Sequence, residues 1–424
     1  MAGSCGVDFG TSNSAVAVAG ASGVELVRLE GQGGTSPSAV FYPPRASPLF
    51  GRSALRAFAE GEEGRFMRSL KRILGSSLMG QGTFVNDRRK SFESILADFI
   101  GGLKSRAEAQ AGRALESVVM GRPVHFVDGD PEADARAQDS LEAVARGVGF
   151  RHVEFQFEPI AAAFAHERKL SSEKLALIVD IGGGTSDFTL IRLSRERARK
   201  LDRSADILAN SGVRIGGNDF DRDFQLDSFM PHLGYRTSYG DKSLPLPAGM
   251  FLEMSEWSKV NFLYTRKTRQ TAVELLRESH EPGKFGRFLK ILEDETGHRL
   301  LAAVEEGKLA LTHGEEERID LGFIERGWRL GVSREAFDAA TASRVAGISG
   351  AITECLARAG LGEEAVELVI LTGGTTEIPA LRRAVLDRFP RVEISEEDKL
   401  SSVGLGLGYD GLRRFGAGLQ AAPV

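Results

Sequence analysis

Cysteine is scarce: Cys5 and Cys355 are the only two in 424 residues, and neither belongs to a CxxC pair. A disulfide framework, a zinc site and a cysteine-ligated iron–sulfur site are therefore not expected, and a reducing compartment fits better than an oxidising one. Long apolar runs are also missing. No stretch reaches the ~18 residues of a membrane helix, and Met1 to Asn13 shows no basic region followed by an apolar core, so no secretory signal is expected. Excess positive charge is absent too. The formal net charge is −5, which leaves no global field to attract nucleic acid or anionic lipid. The common phosphate-binding fingerprints are likewise missing: the chain has no GxxxxGK[ST] loop, no GxGxxG turn after a strand and no kinase signature set. These absences describe a soluble cytoplasmic protein with no nucleic-acid or membrane partner. At roughly 100–200 residues per domain its length suggests two to four domains or lobes.

Short apolar runs alternate with longer amphipathic ones. Strands are expected at Ala15–Ala19, Val24–Leu29, Val118–Met120, His152–Phe157, Ala176–Val179, Phe188–Leu193 and Leu368–Leu371. Helices are expected at Phe92–Ala109, Ala133–Gly147, Arg299–Thr312, Ala336–Ala359 and Ile378–Phe389. Interleaved strands and helices predict an α/β class. One internal similarity stands out. Val7-Asp8-Phe9-Gly10-Thr11-Ser12 recurs as Val179-Asp180-Ile181-Gly182-Gly183-Gly184-Thr185-Ser186, 172 positions later. Each copy leaves an apolar run, turns at glycine and enters another strand-like run, which suggests two similar lobes. The stretches Thr35–Gln110 and Phe220–Arg299 read as irregular insertions, and the tail Gly416–Val424 as frayed.

A glycine turn lets backbone N–H groups approach a phosphate, because no Cβ blocks the way. Alone such a turn is most often structural. Two of them, each preceded by an aspartate at a strand end, carry more weight: Asp8 and Asp180 are candidates to hold Mg²⁺ through water, since that ion keeps much of its hydration. A third turn, Thr372-Gly373-Gly374-Thr375, leaves the run Leu368–Leu371 and opens a helix. By itself it reads as an ordinary strand-to-helix connection.

In this order the three turns resemble the phosphate and adenosine loops of the actin, hexokinase and heat-shock superfamily, and local matches select the 70-kDa heat-shock (DnaK-type) family. Gly6–Ser14 resembles its first phosphate loop, Leu70-Lys71-Arg72-Ile73-Leu74-Gly75 its catalytic-lysine segment and Glu158-Pro159-Ile160-Ala161-Ala162-Ala163 its first connecting motif. Asp180–Asp187 resembles its second phosphate loop, Gly216-Gly217-Asn218-Asp219-Phe220-Asp221 its GGxDFD segment, and Glu305–Thr312 its adenosine-contacting helix. The matches run from Gly6 to about Gly406, and short YegD-like members are the nearest in kind. The resemblance implies an actin-like ATPase fold of two ribonuclease H-like lobes with ATP or ADP and Mg²⁺ in the cleft, and K⁺ as an optional second ion. The lobes would span 1–170, with an insertion at 36–115, and 171–375, with one at 220–298. C-terminal helices at 376–424 would return in part to the first lobe.

Roles follow by position. Gly10, Thr11, Ser12 and Asn13 would hold phosphate, as would Gly182, Gly183 and Gly184. Gly216, Gly217, Gly373, Gly374 and Thr375 would line the nucleotide with backbone. Lys71 would lie near the γ-phosphate and Glu158 would orient water or Mg²⁺. Thr185 would assist the attacking water, and Asp187 would join Asp8 and Asp180 around the metal. Glu305, Lys308 and Thr312 would hydrogen-bond ribose and adenine.

Two positions depart from the family's pattern: Glu377 and Leu309 stand where relatives carry arginines that stack on adenine. The family's peptide-binding sandwich and lid have no counterpart in these 424 residues, so a separate protein partner is expected and peptide capture by the chain is not. Four readings of function stay open at this level: a slow ATPase acting as a nucleotide switch, a nucleotide-binding pseudoenzyme, an actin-like filament protein and a metabolite kinase. For the last, no sugar-type site with a catalytic aspartate is found.

Overall fold

In the computed structural model the described residues are 3–416, apart from 21–22, 32, 77–78, 87, 128–129, 168–169, 201, 258 and 397–400. The tail expected to fray lies outside them from residue 417 onward. Ten strands build two sheets. The first five are β1 (Gly3–Phe9), β2 (Asn13–Gly20), β3 (Gly23–Leu26), β4 (Leu115–Arg122) and β5 (His152–Phe157). The second five are β6 (Lys174–Ile181), β7 (Ser186–Leu193), β8 (Ile207–Val213), β9 (Leu368–Thr372) and β10 (Glu393–Ser395). The first sheet runs β5-β4-β1-β2-β3 and the second β10-β9-β6-β7-β8, so strand order repeats along the chain. A short strand, Thr35–Pro37, adds to β2.

The repeat extends to direction. β1 pairs parallel with β4 and antiparallel with β2; β6 pairs parallel with β9 and antiparallel with β7. Parallel central strands need cover on both faces, and both β1 and β6 are apolar and buried nearly throughout. One cover is the helix Phe92–Ala111. The Ser91 hydroxyl caps it by accepting from Ser94 N–H at 3.1 Å, and its Phe99 ring sits 5.7 Å from Phe9.

The chain divides into two compact units. The first is Met1–Val213 with Ala351–Thr376 and Arg388–Val424; the second is Arg214–Gly350 with Glu377–Asp387. The first unit holds both sheets. Within it, the helices Glu158–Glu167 and Ser402–Phe415 cross so closely that a Cβ on Gly406 would lie 1.9 Å from the Ala161 carbonyl oxygen.

The second unit is mainly helical around buried Phe220, Phe224, Phe229, Phe251, Phe285 and Phe288. Here the expectation of an irregular insertion over Phe220–Arg299 is corrected. Helices occupy Ala248–Met254, Arg266–Glu278 and Pro282–Glu293. Pro282-Gly283, which looks like a breaker in the sequence, is a helix start: proline at the first turn has no N–H to waste and a fixed helical φ.

Candidate active site

The site begins at two hairpins. In the first, Asp8 is opposite Ala15 and Phe9 opposite Ser14, leaving Gly10, Thr11 and Ser12 at the turn. Ser38, which no sequence motif singles out, fastens it. Its N–H donates to the Ser12 carbonyl at 2.8 Å, its hydroxyl donates to the Gly10 carbonyl at 2.7 Å, and Ser14 Oγ is 2.9 Å away. In the second hairpin Asp180 is opposite Asp187, and Ile181 opposite Ser186. Gly182 N–H donates to the Thr185 carbonyl at 3.0 Å and closes the turn. The third loop is stapled to the second. Gly373 has φ +82°, and a Cβ there would lie 2.3 Å from Ile181 O and 2.9 Å from Asp180 Oδ1, so only glycine fits. Thr375 Oγ1 donates to the Gly182 carbonyl at 2.9 Å.

Charge gathers where the strands end. Ser69, at φ +59°, leads into the 3-10 turn Leu70–Ile73. Lys71 Nζ there donates to Glu158 Oε1 at 2.5 Å, with only 11% and 14% of the two side chains exposed. Burial works against the charge on Lys71, but Glu158, Asp8 and Asp180 together outweigh it and raise its pKa. Burial pushes the Asp8 carboxyl up to about 7, reinforced by Glu158 and offset by Lys71. Asp180 is held well above the usual carboxylate range, again by burial first, then by Glu158, Asp187 and Asp8. One ammonium thus stands among four carboxyl groups whose mutual repulsion resists full ionisation. A divalent cation would relieve that repulsion. Among the described residues no three His, Cys, Asp or Glu side chains converge to ligate a metal directly.

The remaining expected residues lie in the second unit. Gly216 is the N-cap of the helix Gly217–Phe224, its N–H donating to Asp219 Oδ2 at 2.9 Å. On the helix Gly297–His313, Glu305, Lys308 and Thr312 share a face. Lys308 is tied to Asp221 at 2.8 Å, the two side chains 13% and 6% exposed. Asp221 and Lys308 each sit in a motif legible in the sequence while their pairing is not, and Asp221 sets where Lys308 can reach. The Thr312 hydroxyl donates to the Lys308 carbonyl at 3.1 Å and keeps its lone pairs. Leu309 is 60% exposed, and Glu377, also exposed, closes the 3-10 turn Gly374–Glu377. A separate concavity of about 360 Å³ in the first unit is lined by Arg122, Phe155, Phe157 and Arg203 among others. Its guanidinium groups are already occupied, Arg122 by Asp134 and Arg203 by Glu167, which leaves it chemically quieter than the carboxylate cluster.

Comparison with known proteins covers all of these residues. A family model described as Hsp70 protein matches residues 4–233 and 289–404. The chain is 27% identical to the chaperone protein HscA of Edwardsiella ictaluri (strain 93-146) over 427 residues, which is 96% of this chain and 57% of the relative. It is 28% identical to HscA of Pectobacterium carotovorum subsp. carotovorum (strain PC1) over 319 residues, 74% of this chain and 40% of the relative. The chain thus spans about half the length of these curated relatives. Both hairpin turns, the Lys71–Glu158 pair, the third loop and the helix carrying Lys308 all fall inside the matched stretches. On that match, and with two sheets of one strand order in an actin-like α/β fold, the chain belongs to the Hsp70 family.

Proposed function

We propose that this protein binds ATP or ADP with Mg²⁺, hydrolyses ATP slowly and acts as a nucleotide-dependent switch on a protein partner. The observation that carries the reading is the Lys71–Glu158 pair set among Asp8, Asp180 and Asp187, where two glycine hairpins of like topology end. Asp8 and Asp180 would hold the hydrated Mg²⁺, which when bound offsets phosphate charge. Gly10 to Asn13 and Gly182 to Gly184 would offer backbone N–H groups and hydroxyls to phosphate. Lys71, oriented by Glu158, would keep a positive charge fixed where negative charge grows. Glu158, Thr185 and Asp187 would orient the attacking water by hydrogen bonds. Glu305, Lys308 and Thr312, with the backbone at Gly216 and Gly217, would take the nucleoside. Gly373, Gly374 and Thr375 would offer backbone to the nucleotide. A cytoplasmic setting fits the two free, buried cysteines. Among the described residues no helix is long and apolar enough to cross a membrane.

A ligand that binds only the folded state raises its stability by linkage. Nucleotide-free protein should therefore melt at a higher temperature with millimolar Mg·ADP or Mg·ATP, and the ATP sample should release phosphate slowly. No shift with either nucleotide overturns the reading. The exposed Leu309 and Glu377 favour a second one, nucleotide binding without turnover. A shift without phosphate release would select it.

A further inference from the structure

The cation beside Lys71 has no part in the reading above. Lys71 and Arg72 share the turn Leu70–Ile73. In a 3-10 turn successive side chains diverge by about 120°, so the two cations serve different neighbours. Lys71 goes to Glu158 and Arg72 to the second glycine turn. Arg72 Nη2 donates to the Gly184 carbonyl at 3.4 Å. A Cβ built on Gly184 would meet Arg72 Cζ, Nε and Nη2, each at 3.2 Å. Three guanidinium atoms at one distance from a single point mean that the guanidinium lies over the space a side chain would fill. That long bond engages one of five N–H donors, and the side chain is exposed. Among the described residues no carboxylate pairs with it, whereas Lys71 beside it is committed to Glu158. Gly183 and Gly184 lie outside both strands, and among the described residues their N–H groups make no turn or loop hydrogen bond.

We propose that Arg72 contacts phosphate in its own right: its guanidinium takes oxygens of the terminal phosphoryl group of a nucleoside triphosphate at the Gly182–Thr185 turn, and so tells triphosphate from diphosphate. The inference rests on the nucleotide-binding reading. Its physical basis is a balance of charge. The carboxyl cluster with its one paired lysine repels an anionic ligand, and Arg72 is the adjacent cation that no carboxylate neutralises. Its planar fork suits two phosphoryl oxygens at once, which an ammonium cannot match.

Calorimetric titration of the full chain with Mg·ADP and with a non-hydrolysable Mg·ATP analogue tests this, using wild type, Arg72→Gln and Arg72→Lys. Arg72→Gln should weaken the triphosphate analogue about tenfold or more, the scale of one charge-assisted hydrogen bond, and leave Mg·ADP within about twofold. Arg72→Lys should recover part of the loss. The side chain is exposed, so the melting temperature of the nucleotide-free variants should match wild type. Equal loss for both nucleotides, or no loss for either, overturns the role of Arg72 while the nucleotide site stands. A wild type that binds neither nucleotide overturns both readings.

Discussion

Lys71 neutralises one of four clustered carboxyl groups, and its removal would act on chemistry and stability by different routes. Lys71→Ala should lower ATP turnover by about 100-fold or more, the scale of one fixed electrostatic group, while nucleotide still binds through the glycine turns. Phosphate release and nucleotide titration on the same sample check this; equal loss of both, or of neither, would refute the role. Ser38 makes a second case. It holds the first turn at Gly10 and Ser12 through its hydroxyl and its N–H. Ser38→Ala leaves the partly buried Gly10 carbonyl without that donor and should cost about 1 kcal/mol in urea unfolding, with nucleotide affinity falling as the turn loosens. The two residues also mark what the sequence made visible. Lys71 and Glu158 were legible because each sits in a recognisable local segment. The contacts of Ser38 and Arg72 were not, because they reach Gly10 28 residues away and Gly184 112 residues away and leave no pattern in any window.

Elements were legible where periodicity and length agreed, and the hairpin repeat announced that each sheet is built the same way. The strand His152–Phe157 was legible to its ends, because polar and apolar residues alternate along it. The helices of the second unit were masked by Pro245, Pro247, Pro282 and neighbouring glycines, whose roles depend on whether they fall inside an element or at its start. Packing between elements was the least visible level. Nothing in Ser402-Val403-Gly404-Leu405-Gly406 says that it crosses Ala161-Ala162 with no room for a methyl group. That crossing ties the C-terminal helix to the one that begins with Glu158. Gly406→Val should therefore do more than remove flexibility. Overpacking with no flexible neighbour to yield should destabilise the fold by roughly 3 kcal/mol or more, seen as a lowered urea midpoint. It should also shift Glu158 and reduce turnover, whereas Gly406→Ala should show a smaller loss of the same kind. Unchanged stability in the valine variant would refute the packing argument.

Across the whole molecule, the two units should answer acid differently, and one histidine makes the difference measurable. His298 is 6% exposed, on the helix Gly297–His313, with its ring 5.8 Å from that of Trp257 and 6.2 Å from that of Tyr264. Burial lowers its pKa from 6.5 to about 3. A histidine whose folded pKa is depressed stays neutral in the fold while the unfolded chain takes up a proton below about 6.5. Its contribution to stability is therefore complete above that pH and drains away as pH falls toward 3. At about 1.4 kcal/mol per pH unit, the loss at pH 5 relative to pH 8 is roughly 2 kcal/mol. Both tryptophans, Trp257 and Trp328, belong to the second unit, so tryptophan emission follows that unit alone. Urea unfolding watched by emission should show the loss between pH 8 and pH 5. His298→Gln, which cannot take up the proton, should flatten the slope by the same amount. In the first unit Asp8 carries the opposite dependence. Asp8 binds its proton more tightly folded than unfolded, at about 7 against 3.8, so its contribution is greatest in acid and fades as pH rises from about 4 to 7. On acidification the emission transition should thus move to lower urea ahead of the far-ultraviolet circular dichroism transition, which reports both units. Transitions that coincide at pH 5 in wild type would show that the two units unfold as one, and would refute the expected separation.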